Sequence, residues 1–180
     1  MTRIECKQCA IRLWRPGDEP SLQRNADNYN VWRNLTDRFP HPYTADDARW
    51  WVENANAIEF KGFAIEVDGE AVGGVGCMAR EDVYKFTGEI GYWLGEPYWG
   101  QGIVSQALGA FIPYLFERTN LVRLEAGVFE RNARSSRVLE KNGFELESRQ
   151  PRAAYKDGEF IDVLVYVRLR DTIPPELLGP

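Results

Sequence analysis

Histidine and cysteine are scarce in this 180-residue chain, which holds one His and three Cys. A Ser-His-Asp hydrolase would have to rest on His41 alone, in the loop Pro40-His41-Pro42, and no G-x-S-x-G elbow accompanies it. Cys6 and Cys9 form a C-x-x-C, half of a zinc site by spacing, but Cys77 stands apart and no second pair follows. The two thiols therefore read as inert, and no metal is expected. An odd cysteine count also disfavours a disulfide scaffold. No stretch approaches the roughly 18 uninterrupted apolar residues of a membrane span. The polar N-terminus lacks the apolar core of a signal peptide, so no membrane partner and a cytoplasmic location are expected. The chain has no long basic run and a net charge of −5, which argues against nucleic-acid binding. The absence of G-x-x-x-x-G-K-[ST] disfavours a nucleotide phosphotransferase.

The composition is that of an ordinary globular protein, 44% hydrophobic and 27% charged. The length fits one domain over 1–180, with a core at about 10–170 and a loose tail at 171–180.

A first strand is predicted from Ile11 to its stop at Pro16-Gly17. A short helix follows at 18–29, then a helical turn through Val31 and Leu35. Thr44 with Asp47 three residues on is a capping-box pattern before a helix with Ala48, Trp51, Val52 and Ala55 on one face. Strands at 60–67 and 70–78 flank Asp68-Gly69, a hairpin turn signal. Residues 86–94 alternate, with Ile90, Tyr92 and Leu94 on one side and Glu89 and Trp93 on the other. A helix over 100–118 is expected to kink or end at Pro113. A strand at 121–129, a helix at 132–141 stopped by Asn142-Gly143, and strands at 144–155 and 160–169 complete the pattern. This order means an α/β (α+β) fold: a mixed, mostly antiparallel sheet of six to seven strands flanked by helices.

The most informative stretch is Trp99-Gly100-Gln101-Gly102-Ile103-Val104, a glycine-bearing loop between a strand and a helix start. Glycines let backbone N–H groups approach an anion, and a helix start offers unpaired donors and partial positive charge. Together they form a phosphate cradle. Two further signatures follow it. One is Asn132-Ala133-Arg134-Ser135 with Leu139-Glu140-Lys141-Asn142-Gly143-Phe144; the other is Tyr155-Lys156-Asp157-Gly158-Glu159-Phe160-Ile161-Asp162-Val163. With these, the chain resembles the GCN5-related N-acetyltransferase (GNAT) superfamily over about 10–170, in particular its ribosomal-protein N-terminal acetyltransferase branch (RimJ/RimL type). It departs from the pattern at Val104, where Gly or Ala is usual, and at Gln106, where Glu is common.

The resemblance implies acetyl-CoA as cosubstrate. Its pyrophosphate would meet the backbone N–H groups of Trp99, Gly100, Gly102 and Val104, in the loop that also holds Gln101 and Ile103. Its pantetheine arm would pair with Tyr92, Trp93 and Leu94 as an added strand, and Asn132 would hold a pantetheine amide. Arg131, Arg134 and Arg137 either include a ligand for the 3′-phosphate or form a solvated basic face. The implied reaction moves acetyl to a primary amine, of a protein N-terminus or a small molecule, directly through a tetrahedral intermediate.

Glu89 is the preferred base, through a water, from a half-buried position; the alternative is a paired surface glutamate. Ser135 is the candidate acid with Tyr155 its rival, unless Ser135 serves to cap its helix. Trp32, Arg33, Phe39, His41 and Tyr43 are the candidate acceptor wall, closed on the far side by Tyr84 and Tyr155; core packing or a dimer contact would use the same aromatics. The chain is expected to be a monomer or homodimer. The competing class is a catalytically silent acyl-CoA-binding or regulatory module.

Overall fold

The computed structural model describes residues 3–57 and 62–178. One sheet of eight strands runs in the order β1-β2-β3-β4-β5-β6-β8-β7. The strands are β1 (Ile4–Glu5), β2 (Ala10–Arg12), β3 (Phe63–Val67), β4 (Glu70–Ala79), β5 (Thr87–Leu94), β6 (Arg123–Phe129), β7 (Glu145–Lys156) and β8 (Glu159–Leu169). Eight strands replace the expected six to seven. The extra one is β1, a two-residue strand in the polar N-terminus that pairs Ile4 with Ile11 and Glu5 with Ala10. The expected start of the β3 hairpin at Phe60 lies outside the described residues.

Helices cover both faces. On one side α4 (Ile103–Arg118) and α5 (Ala133–Lys141) pack over a core that includes Ile11, Ile65, Ile90, Leu108, Phe111, Leu124 and Leu139. On the other side α1 (Glu19–Ala26) and α3 (Ala45–Asn54) enclose Trp14, Leu22, Tyr43, Ala48, Val52 and Ala64. A four-residue helix, α2 (Tyr29–Trp32), joins α1 to the loop before α3. Among the described residues no helix is long and apolar enough to cross a membrane.

Local sequence explains most boundaries. Thr44 accepts from Asp47 N–H while the Asp47 carboxylate accepts from Thr44 N–H, the complete capping box of α3. Asp68 and Gly69 both take positive φ, +50° and +86°, which is what a two-residue type I′ turn demands. Asp157 and Gly158, at +57° and +82°, repeat that solution between β7 and β8. Gly143 closes α5 at φ +76°, as the Asn142-Gly143 pair predicts. Pro113 does not end α4, which continues to Arg118. Among its described residues the tail contains a 3₁₀ turn at Pro175–Leu177.

The join between β5 and β6 positions the site. It is a parallel pair in an otherwise antiparallel ladder, and α4 is the crossover between its strands. Pairing holds only for Thr87 with Arg123, Gly88 with Leu124 and Glu89 with Glu125. Beyond that register residues 90–94 stay bonded only to β4, and residues 126–129 only to β8. The sheet is split there, with an unpaired backbone edge on each side.

Candidate active site

The loop after β5 follows from its glycines. A 3₁₀ turn at Glu96–Tyr98 uses the N–H groups of Tyr98 and Trp99, which donate to Gly95 and Glu96 carbonyls. Trp99 therefore cannot offer its N–H to a phosphate, a correction to the expected donor set. Its indole Nε1 instead donates to the Leu94 carbonyl at 2.7 Å and pins the turn.

Gly100 and Gly102 then adopt φ +77° and +78°, and Gly102 is the N-cap of α4 without a side-chain cap. A Cβ at Gly100 would enter open space, and one at Gly102 would find only the Gln106 amide, at 3.9 Å. Within the loop and the first turn of α4, the N–H groups of residues 100–105 have no protein partner, and the first helical bond is Gln106 N–H to Gly102 O. Converging unpaired donors at a helix start fit a diphosphate, so the residues present suit the CoA end of the expected cosubstrate.

Both departures from the family pattern are accommodated. Val104 packs into the main core instead of crowding the loop. Gln106 exchanges hydrogen bonds with the main chain and side chain of Gln8 and so ties the β1–β2 turn to α4. Ile103 is buried in the same core, and Gln101 is exposed, its amide donating to the Pro97 carbonyl.

Tyr92 projects from the unpaired stretch of β5 toward α5. Its hydroxyl lies 2.6 Å from Ser135 Oγ and donates to the Ser135 carbonyl at 3.2 Å. Burial pushes the Tyr92 phenol up to about 12, against a lowering contribution from Ser135. The cap of α5 is Asn132, whose Oδ1 accepts from Ser135 N–H at 3.3 Å, so Ser135 is not the cap. Of the three candidate phosphate arginines, Arg134 lies over the Trp99 ring at 5.3 Å, beside the cradle. Arg131 instead donates to the Arg33 carbonyl at 2.5 Å. Arg137 is exposed.

Glu89 sits at the last paired position before the split. It is exposed, not half-buried as expected. Its partner on β4, Met78, is exposed too, because the layer of α1 and α3 covers the sheet nearer Ala64, Ala71 and Trp93. Across from Glu89 stands Glu125, buried at 8% exposure and paired with Arg80 and, at 3.5 Å, with Arg123. Sequence reading passed over Glu125; its alternation against Leu124 and Ala126 was the available signal.

The acceptor candidates divide. Tyr43 is core, 5% exposed, and the ring of Phe39 packs on both Tyr43 and Trp93, at 5.0 and 5.4 Å. Tyr84 lies in the β4–β5 connection, at the opposite end of β5 from the cradle, and is exposed. Tyr155 packs edge-on against Phe160 and is largely exposed.

Trp32, Arg33 and His41 do come together. The Trp32 ring stacks on His41 at 5.2 Å and carries the ammonium of Lys156 at 3.4 Å from its centre. Lys156, almost wholly buried, reaches Asp37 at 2.6 Å. The α2 segment thus bridges the mouth of the split. On the β5 side the Asn28 and Asn30 amides donate to Glu96; on the β6 side Arg131 donates to Arg33; on the hairpin side Tyr29 donates to Asp157.

Cys6 and Cys9 meet main-chain carbonyls of α4, Gln106 and Ile103, each at 3.8 Å, and burial pushes the Cys9 thiol up to about 12. Among the described residues no group of three or more His, Cys, Asp or Glu is placed to hold a metal ion.

A family model described as an acetyltransferase (GNAT) domain matches residues 9–145. The ribosomal-protein-serine acetyltransferase of Escherichia coli (strain K12) is 34% identical over 131 residues, 71% of this chain and 73% of that protein. A solved structure of RimL, the ribosomal L7/L12 alpha-N-protein acetyltransferase in complex with coenzyme A, superposes with a TM-score of 0.83 and 26% identity, covering 94% of this chain and 99% of that one. A GNAT-family acetyltransferase from Bacillus anthracis gives a TM-score of 0.81 at 23% identity over 93% of this chain and 98% of its own, a likeness of fold.

Proposed function

Since this chain belongs to the GNAT acetyltransferase family and transfers acetyl from acetyl-CoA to an amine, we propose that its acceptor is the N-terminal amine of a polypeptide. The carrying observation is the split sheet, in which residues 90–94 and 126–129 face one another with unpaired edges. One edge suits an extended acyl-carrying chain. The gap beside it suits an extended peptide end, admitted past α2. The likeness to the ribosomal-protein-serine acetyltransferase supports the same acceptor class.

Acetyl-CoA supplies an activated acyl carbon. The cradle at residues 100–105 would anchor its diphosphate, and the edge at residues 90–94 would orient the arm. Proximity alone supplies much of the acceleration in such a transfer. The chain's own chemistry is proton handling. Glu89, exposed at the split, takes the proton from the incoming ammonium through a water, because only the free amine attacks. Ser135, its hydroxyl hydrogen-bonded with Tyr92, would protonate the departing thiolate, with Tyr155 as the rival acid. Asn132, its Oδ1 occupied by the cap, retains its amide donors for a pantetheine carbonyl. We read the chain as one such domain.

The test is thiol release from acetyl-CoA with peptides of varied N-terminal residue, beside small amines. Turnover on peptides is expected. Tight CoA binding without turnover on any amine would instead favour a silent acyl-CoA-binding module.

A further inference from the structure

Arg33 and Arg131 meet at the mouth of the split. Arg131 Nη2 donates to the Arg33 carbonyl, which seats one guanidinium against the backbone of the other residue. Both also act on Tyr29, whose ring lies 5.4 Å from the Arg33 guanidinium carbon and whose phenol feels the charge of both arginines. Five buried side-chain polar atoms among the described residues lack a hydrogen-bond partner, and two of them are Arg33 Nε and Arg131 Nε. No carboxylate lies within ion-pair distance of Arg33 among the described residues, and the nearest to Arg131 is the exposed Glu159 at 3.9 Å. The other acids nearby are committed, Asp157 to the Tyr29 phenol and Asp37 to Lys156.

A buried guanidinium edge without an acceptor is costly. Both side chains are partly exposed, and a guanidinium offers further N–H groups beside Nε to a planar carboxylate. We infer that Arg33 and Arg131 form a carboxylate subsite at the acceptor mouth, so that this enzyme selects amines carrying a carboxylate near the reacting nitrogen. This rests on the acceptor reading above and narrows it. Two sources supply that chemistry: an acidic side chain close behind a peptide N-terminus, and the α-carboxylate of a free amino acid.

The test compares initial rates of the unmodified enzyme on isosteric pairs. One arm sets a peptide with Asp or Glu at its second position against its Asn or Gln twin; the other sets an amino acid against its amide. Replacing a charge-assisted hydrogen bond in a buried site by a neutral one predicts that kcat/KM for the carboxylate member exceeds its twin by roughly 10- to 100-fold. Preference in the first arm assigns a side-chain carboxylate, in the second an α-carboxylate. Arg33→Gln and Arg131→Gln should each abolish the preference by raising the acceptor KM, leaving kcat and the acetyl-CoA KM near their starting values; Arg33→Lys should rescue only weakly. Equal rates on both members of both pairs would overturn the subsite while leaving the amine-acceptor reading intact. No transfer to any amine, with acetyl-CoA still bound, would instead remove the acceptor reading.

Discussion

The Tyr92 phenol and the Ser135 hydroxyl meet at 2.6 Å, which ties the unpaired edge of β5 to the first turn of α5. The phenol also lies 3.2 Å from the Ser135 carbonyl, and either hydroxyl can donate across the pair. The two residues should therefore behave as one unit. Tyr92→Phe and Ser135→Ala are each expected to cost about 1 kcal/mol of stability, the usual net value of a partly buried hydrogen bond. In the double variant the costs should fall short of additive by at least about 0.5 kcal/mol. Urea unfolding of the four proteins measures this, and strict additivity would mean that the pair contributes nothing.

Gly102 offers a direct assay of the phosphate cradle. Its φ of +78° disfavours any side chain, and its N–H lies among the unpaired donors. Gly102→Glu should weaken acetyl-CoA binding by more than about 100-fold, because strain and a second anion act together in one small loop. Gly69→Glu is the control, since Gly69 has φ +86° in a turn far along the chain with nothing near its Cβ position. It should lower stability without changing cofactor affinity. Calorimetric titration reads both, and unchanged affinity in Gly102→Glu would remove the cradle.

What the sequence made legible divides along sequence distance. The Thr44–Asp47 box, the Asp68-Gly69 and Asp157-Gly158 turns and the Gly100 and Gly102 positions are local, and each appears as expected. Contacts between distant residues were hidden. Arg12 holds Asp18 bidentately, at 2.7 and 2.8 Å, and also pairs with Glu66, with all three side chains buried. Nothing in the pattern of a three-residue strand announces that a charge there faces inward. The same applies to Lys156, which sits beside a turn signal yet is buried against Trp32 by a loop more than a hundred residues earlier. Exposure of Glu89 depended on where α1 and α3 end over the sheet, which strand alternation does not encode.

Glu89→Gln should separate base catalysis from proximity. If Glu89 removes the ammonium proton, the variant should lose roughly 100-fold in kcat/KM at pH 7, and less as pH rises and the amine deprotonates unaided. Glu125→Gln should behave differently, because it takes the carboxylate charge away from Arg80 and Arg123 and so reduces stability first. A pH–rate profile for each, with thermal melting as control, distinguishes them. A loss in Glu89→Gln that is the same at every pH would clear Glu89 of the role.

The protein should be unusually sensitive to alkali, for a reason visible in its core. Burial pushes Cys9, Cys77 and Tyr92 each up to about 12, and raises Tyr43 further. In the unfolded chain thiols lose their protons near pH ~8.5 and phenols near ~10. Between those values and pH 12 the folded state holds more protons than the unfolded one, so stability falls as pH rises. Below pH ~8.5 the contribution is complete. The urea midpoint should thus hold steady from pH 7 to 8.5, then decline steeply toward pH 11. Cys77→Ala, which removes one raised group behind Gly88, should make that decline shallower even if it lowers the midpoint at neutral pH. A midpoint that is flat to pH 11, or a decline unaltered by Cys77→Ala, would mean that these buried groups do not govern alkaline unfolding.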